Sequence, residues 1–158
     1  APDSGGVVGV PAFTGLGAPH WRPEARGLIT GLTRGTTGAH LARATLEGIA
    51  LSVHDLLEAM GKDAGRRATS LKVDGGACAN DLLMQLQADL GDLEIIRPAL
   101  IETTALGAAL LAGLGVGLWS STDQVRALWK EQCRFRPSMS RTEAGAMLAR
   151  WHRALGMA

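Results

Sequence analysis

One stretch, Gly38 to Met60, restricts the folds open to this chain of 158 residues more than any other. At about 100° per residue, Leu41, Thr45, Ile49, Val53, Leu56, Leu57 and Met60 fall on one broad arc. His40, Arg43, Glu47, His54 and Glu58 fall on a narrow opposite stripe. The spacing predicts an amphipathic helix roughly 35 Å long, capped by Thr36 or Thr37 and followed by Gly61. A helix of that length is stable only if a wide partner surface buries its apolar arc. Short β-branched runs offer that partner. Val7–Val10, Leu28–Leu32, Thr69–Val73 and Leu93–Arg97 read as strands, the first stopped by Pro11 and the last by Pro98. Further helices are expected over Asn80–Leu90, Thr104–Gly117, from Ser121 or Thr122 to Trp129, and over Thr142–Leu155. Strands alternating with helices imply an α/β fold with a largely parallel sheet flanked by helices.

Composition narrows the class further. Hydrophobic residues make up 46% and charged residues 20%, as in a soluble globular domain. The net charge of +1 gives no electrostatic footprint for nucleic acid or an anionic membrane. The longest apolar stretch, Ala105 to Trp119, is shorter than the ~20 residues a membrane span needs and is broken by glycines. Cys78 and Cys133 lie far apart with no Cys-x-x-Cys pair, which fits a reducing cytoplasm and neither a disulfide framework nor a zinc site. His20, His40, His54 and His152 are scattered, so no metal set is expected. Arg43 and Glu47, four apart, read as a surface or interface ion pair worth little if exposed. Trp21 and Trp119 read as packing residues.

The strongest local motif is a strand, then Asp74-Gly75-Gly76-Ala77-Cys78-Ala79-Asn80, then a helix. Two adjacent glycines permit a positive-φ turn and remove side chains that would block a flat or charged ligand. The helix start that follows offers free N–H groups and a partial positive charge. Asn80 stands where its amide can reach a ligand. The same residues also make an ordinary strand-to-helix turn with Asn80 as the helix cap, and from the residues alone the two readings are evenly matched. Cys78 reads as a small filler, although a nearby helix start can lower a thiol's pKa. Gly15-Leu16-Gly17 and Gly113-Leu114-Gly115 lack the strand–turn–helix setting of a dinucleotide fingerprint, and no Gly-x-x-x-x-Gly-Lys-Ser/Thr loop is present.

Three segments together resemble the C-terminal domain of the FGGY carbohydrate kinases. They are Gly27-Leu28-Ile29-Thr30-Gly31-Leu32 with His40-Leu41-Ala42-Arg43-Ala44-Thr45-Leu46-Glu47, then Val73 to Asn80 running into Leu83–Asp89, then Glu102-Thr103-Thr104-Ala105-Leu106-Gly107-Ala108-Ala109. The likeness covers nearly the whole chain, read as one C-terminal domain portion over 1–158, and weakens after about Pro137. A further segment, Pro11-Ala12-Phe13-Thr14-Gly15-Leu16-Gly17-Ala18-Pro19-His20-Trp21, looks like the glycerol-phosphorylating branch, which commonly carries Tyr at His20 and Asp at Arg22. The resemblance implies an actin-like, ribonuclease-H-type domain with ATP in a cleft between two domains. It implies that Gly76 and Asn80 contact the nucleotide and that Asp74, Gly75 and Ala77 line it. It also implies magnesium as the ion accompanying ATP, γ-phosphoryl transfer to glycerol, and a homo-oligomer. The catalytic aspartate and the glycerol contacts of such kinases are expected upstream in a missing N-terminal region, so no catalytic or metal-binding residue is assigned here. This portion is expected to be one wall of the cleft and inactive alone. A kinase for another polyol or sugar, or a non-catalytic actin-like binding module, are the alternatives.

Overall fold

The computed structural model describes residues 1–158. The chain opens with strands β1 (Val8–Val10) and β2 (Leu28–Thr30), an antiparallel pair in which Gly9 faces Ile29. Helix α1 (Gly38–Ala64) follows, with Thr37 just before it and Gly65, at φ +65°, just after it. Next come β3 (Ser70–Lys72), a single 3-10 turn over Gly76–Ala79, α2 (Asp81–Gly91) and β4 (Glu94–Pro98). Helices α3 (Thr103–Gly115) and α4 (Thr122–Ala127), strand β5 (Glu131–Phe135) and helix α5 (Arg141–Leu155) complete the chain.

The second sheet has the order β3-β4-β5. Strands β3 and β4 are parallel and joined through α2, so β3, the turn, α2 and β4 form a βαβ unit. The other two pairings, β1 with β2 and β4 with β5, are antiparallel, which corrects the expectation of a largely parallel sheet. Strand β5 was not expected at all. Only Cys133 and Phe135 of its side chains turn toward the core, and its Arg134 pairs with Glu131 and with Glu94 across the ladder. Its alternation is confined to Cys133 and Phe135, too short to read as a strand, and the Arg134–Glu94 pair adds a cross-strand contact to the ladder.

A single core joins the pieces. Trp151 of α5 is 1% exposed and packs with Leu51 of α1, Leu83 and Leu86 of α2, and Ile95 of β4 within one buried cluster. Helix α1 did form where expected, but it buries a different face. Ala44, Glu47, Gly48, Leu51 and Asp55 point inward, whereas Ile49, Leu56 and Met60 of the apolar arc are exposed. The small residues decide this. A Cβ on Gly48 would lie 2.1 Å from the carbonyl oxygen of Gly9, so β1 crosses α1 at backbone contact and no bulkier face could come as near. The polar residues on that face are paired. Arg43 Nε donates to Glu47 Oε1 at 2.7 Å with both side chains largely covered, so of the surface or interface pair expected it is the covered kind and not the exposed one.

Helix α3 is apolar on every side, and Gly113 is where Trp119 lies against it. Leu111 is nonetheless 69% exposed, and α3 stands off the main core. Trp119 therefore packs as expected. Trp21 does not: it is 75% exposed, with φ +50°. No helix is long and apolar enough to cross a membrane.

Candidate nucleotide site

The glycine turn sits at the carboxyl end of β3, the edge of a parallel pair where α/β proteins bind ligands. Gly75 adopts φ +79°, a left-handed conformation that a side chain would strain. Gly76 has no such φ, and a Cβ placed there meets no atom within 4 Å. The turn thus presents bare backbone to open space. Asp74, Gly76, Ala77 and Asn80 are exposed and Gly75 is half-buried, while Cys78 turns inward.

Asn80 settles part of the even choice that the residues left open. Its Oδ1 accepts from the backbone N–H of Leu83 at 3.0 Å, so it caps α2. That leaves Nδ2 as the group able to reach a ligand. The α2 start adds unpaired N–H groups and the positive end of the helix dipole. Capping and ligand contact are therefore compatible roles for one side chain.

The turn is braced from two directions. On one side, the Gly75 N–H donates to the Ile101 carbonyl at 2.7 Å, and the Thr103 hydroxyl donates to Asp74 Oδ2. This brings the start of α3 against the turn. On the other side, Arg97 of β4 donates from Nη1 to the Cys78 carbonyl at 2.8 Å and to Asp81 Oδ1 at 2.7 Å. Sequence reasoning had noted Glu102-Thr103-Thr104 without giving Thr103 a role, and it had passed over Arg97. Nothing local marks Arg97, because its partners lie 16 and 19 residues away. Burial pushes the Cys78 thiol pKa up despite the nearby Arg97 charge, so the helix start does not activate it.

The broader concavities lie elsewhere. A cleft of about 310 Å³ is lined by Val10, Phe13, Leu28, Ile29 and Thr45. Another, of about 430 Å³, is lined by His20, His54, Asp55, Lys62 and His152. The glycine turn is an open face by comparison.

Comparison with known proteins decides the family. The model of the FGGY family of carbohydrate kinases, C-terminal domain, matches residues 1–116. The chain belongs to the FGGY family. Within it, a glycerol kinase of Acidovorax sp. (strain JS42) is 60% identical over 161 residues, spanning 99% of this chain and 32% of its own length. A glycerol kinase of Methylibium petroleiphilum is likewise 60% identical over 158 residues, spanning 98% and 32%. This FGGY chain therefore covers about a third of the length of the relatives it matches. Among solved structures, a Plasmodium falciparum glycerol kinase with ADP superposes with a TM-score of 0.87 at 36% identity, covering 99% of this chain and 31% of that one. A xylulose kinase from Rhodospirillum rubrum gives 0.73 at 26% identity, with 98% and 30% covered. The fold is the mixed α/β, actin-like C-terminal domain of FGGY kinases, as the sequence implied.

Proposed function

We propose that this chain is the C-terminal portion of an ATP-dependent kinase that transfers the γ-phosphoryl group of ATP to glycerol, forming glycerol 3-phosphate. One observation carries the reading: 60% identity along 99% of the chain to glycerol kinases. A related structure that holds ADP supports nucleotide binding.

Phosphoryl transfer depends on positioning and charge neutralisation more than on covalent help from the protein. In this reading the chain supplies positioning. The bare backbone of Gly75 and Gly76, the Ala77 N–H and Asn80 Nδ2 line one wall of the ATP cleft, with Asp74 at its rim. The open space above Gly76 fits a flat or charged group at that wall. The substrate is ATP as its magnesium complex. The base that takes the hydroxyl proton and the glycerol contacts come from segments beyond these residues, so the chain alone does not turn over. The bare apolar surface of α3 supports a larger assembly that covers it. The same reading places the kinase in the cytoplasm as a homo-oligomer.

Gly76→Val in the full-length kinase tests the site. A Cβ at Gly76 meets no atom of this chain within 4 Å, so the chain itself leaves room for the substitution and the space it takes is the ligand's. The ATP KM should rise by about tenfold or more, in line with about 1.4 kcal/mol per factor of ten. An unchanged ATP KM removes the nucleotide from this turn.

A further inference from the structure

Arg97 is the one basic side chain in the interior of the sheet, with 9% of its surface exposed. A guanidinium taken out of water costs several kcal/mol unless its donors are satisfied. Here Nε and both Nη1 donors have acceptors, and each partner has a distinct place. Nη1 reaches the Cys78 carbonyl in the middle of the glycine turn and Asp81 Oδ1 at the first residue of α2. Nε reaches Gln132 Oε1 on β5 at 3.0 Å. The guanidinium also lies 5.3 Å from the centre of the Phe135 ring. Three sides are thus fixed to strands and helix, and the remaining contact is a backbone carbonyl of the turn.

That turn needs an external hold. Gly75 and Gly76 have more backbone freedom than any other residue pair, so the loop by itself would sample many conformations. A ligand that meets such a loop must order it on binding, which weakens affinity. The Cys78 carbonyl lies two residues beyond Gly76 and two before Asn80, so fixing it sets the direction of the peptides on both sides. Asp81 adds the start of α2 to the same fork. A lysine in this place offers a point charge on a flexible stem and cannot span two fixed acceptors while also holding a third.

We propose that Arg97 is a positioning residue for the nucleotide: it holds the Gly75–Asn80 turn in its binding conformation through the Cys78 carbonyl. This rests on the reading of that turn as the nucleotide wall. Arg97 does not itself touch the ligand.

The test uses the full-length kinase with Arg97→Lys and Arg97→Gln, with Gly76→Val as the reference. Steady-state rates are measured with ATP varied at saturating glycerol and with glycerol varied at saturating ATP. Thermal midpoints are recorded with and without ADP. Arg97→Gln should raise the ATP KM about tenfold and Arg97→Lys about threefold to fivefold, with glycerol KM and kcat within about twofold of the parent. The rise in midpoint on adding ADP should shrink in the same order. A purely structural role would lower the ADP-free midpoint and leave the ATP and glycerol constants in step, which overturns the proposal. So does failure of both variants to fold, since Arg97 would then be a strut for the whole domain. If Gly76→Val raises the ATP KM and neither Arg97 variant does, the positioning role falls and the nucleotide site stands. If Gly76→Val has no effect, the site itself is misplaced.

Discussion

Asp55 of α1 is a buried charge on which three histidines and Trp151 converge, and replacing it with asparagine is a sharp test of how this domain is held together. Its Oδ2 accepts from Trp151 Nε1 of α5 at 2.7 Å and sits 3.0 Å from His20 Nε2 in the loop after β1. His152 Nε2 lies 3.5 Å and His54 Nδ1 3.6 Å from Oδ1. Burial alone would raise the Asp55 pKa, but the contacts with His54, Trp151 and His20 and the charge of His152 outweigh it and hold the group at about 2, from an ordinary 3.8. At about 1.4 kcal/mol per factor of ten, that drop is worth about 2 kcal/mol of folding stability. Because the carboxyl titrates lower in the folded state than in the unfolded one, the contribution is fully present above pH 3.8 and is lost as the pH falls toward 2. Asp55→Asn keeps the shape and an oxygen for the Trp151 N–H while removing the charge. Urea unfolding should show the variant less stable by about 2 kcal/mol at pH 7, with the gap closing to under about 1 kcal/mol at pH 2.5. A gap of the same size at both pH values would mean that packing, not charge, is lost, and would refute the reasoning. A gap below about 0.5 kcal/mol at pH 7 would mean that the three histidines and Trp151 do not stabilise the carboxylate.

Two further outcomes follow from single contacts. Gly48→Ala drives a methyl group to 2.1 Å from the Gly9 carbonyl, so α1 and β1 must separate; denaturant melts should show a loss of about 1–3 kcal/mol, and a neutral result would contradict the backbone contact. Asn80→Ser keeps an oxygen to cap α2 but removes Nδ2. Stability should stay within about 0.5 kcal/mol of the parent while the ATP KM of the full-length kinase rises, and Asn80→Ala should add a capping loss of about 1 kcal/mol.

Much of the architecture was legible because it is local. Caps, breakers and periodicity placed α1, α2, α5, β3 and β4 within a few residues of where they lie, since each boundary is set by its own neighbours, as Asn80 before α2 and Pro98 at the end of β4 show. The glycine turn was legible for the same reason, because the freedom of Gly75 and Gly76 is a property of those residues. What could not be read was which side of a helix would be buried. The arc of Ile49, Leu56 and Met60 is the most apolar on α1 and remains exposed, because close approach through Gly48 and satisfied polar pairs at Glu47 and Asp55 favour the other face. Apolar counting cannot weigh those terms, for both depend on partners remote in the chain.

The sequence by itself thus determined the family, the order of most elements and the position of the glycine turn, each through short-range pattern. The tertiary structure alone decided the face that α1 buries, the meeting of His20, His54 and His152 at Asp55, and the grip of Arg97 on the turn. Those arrangements join residues as much as 97 positions apart, from Asp55 to His152, and a polar group in the interior is stable only when folding delivers its partner.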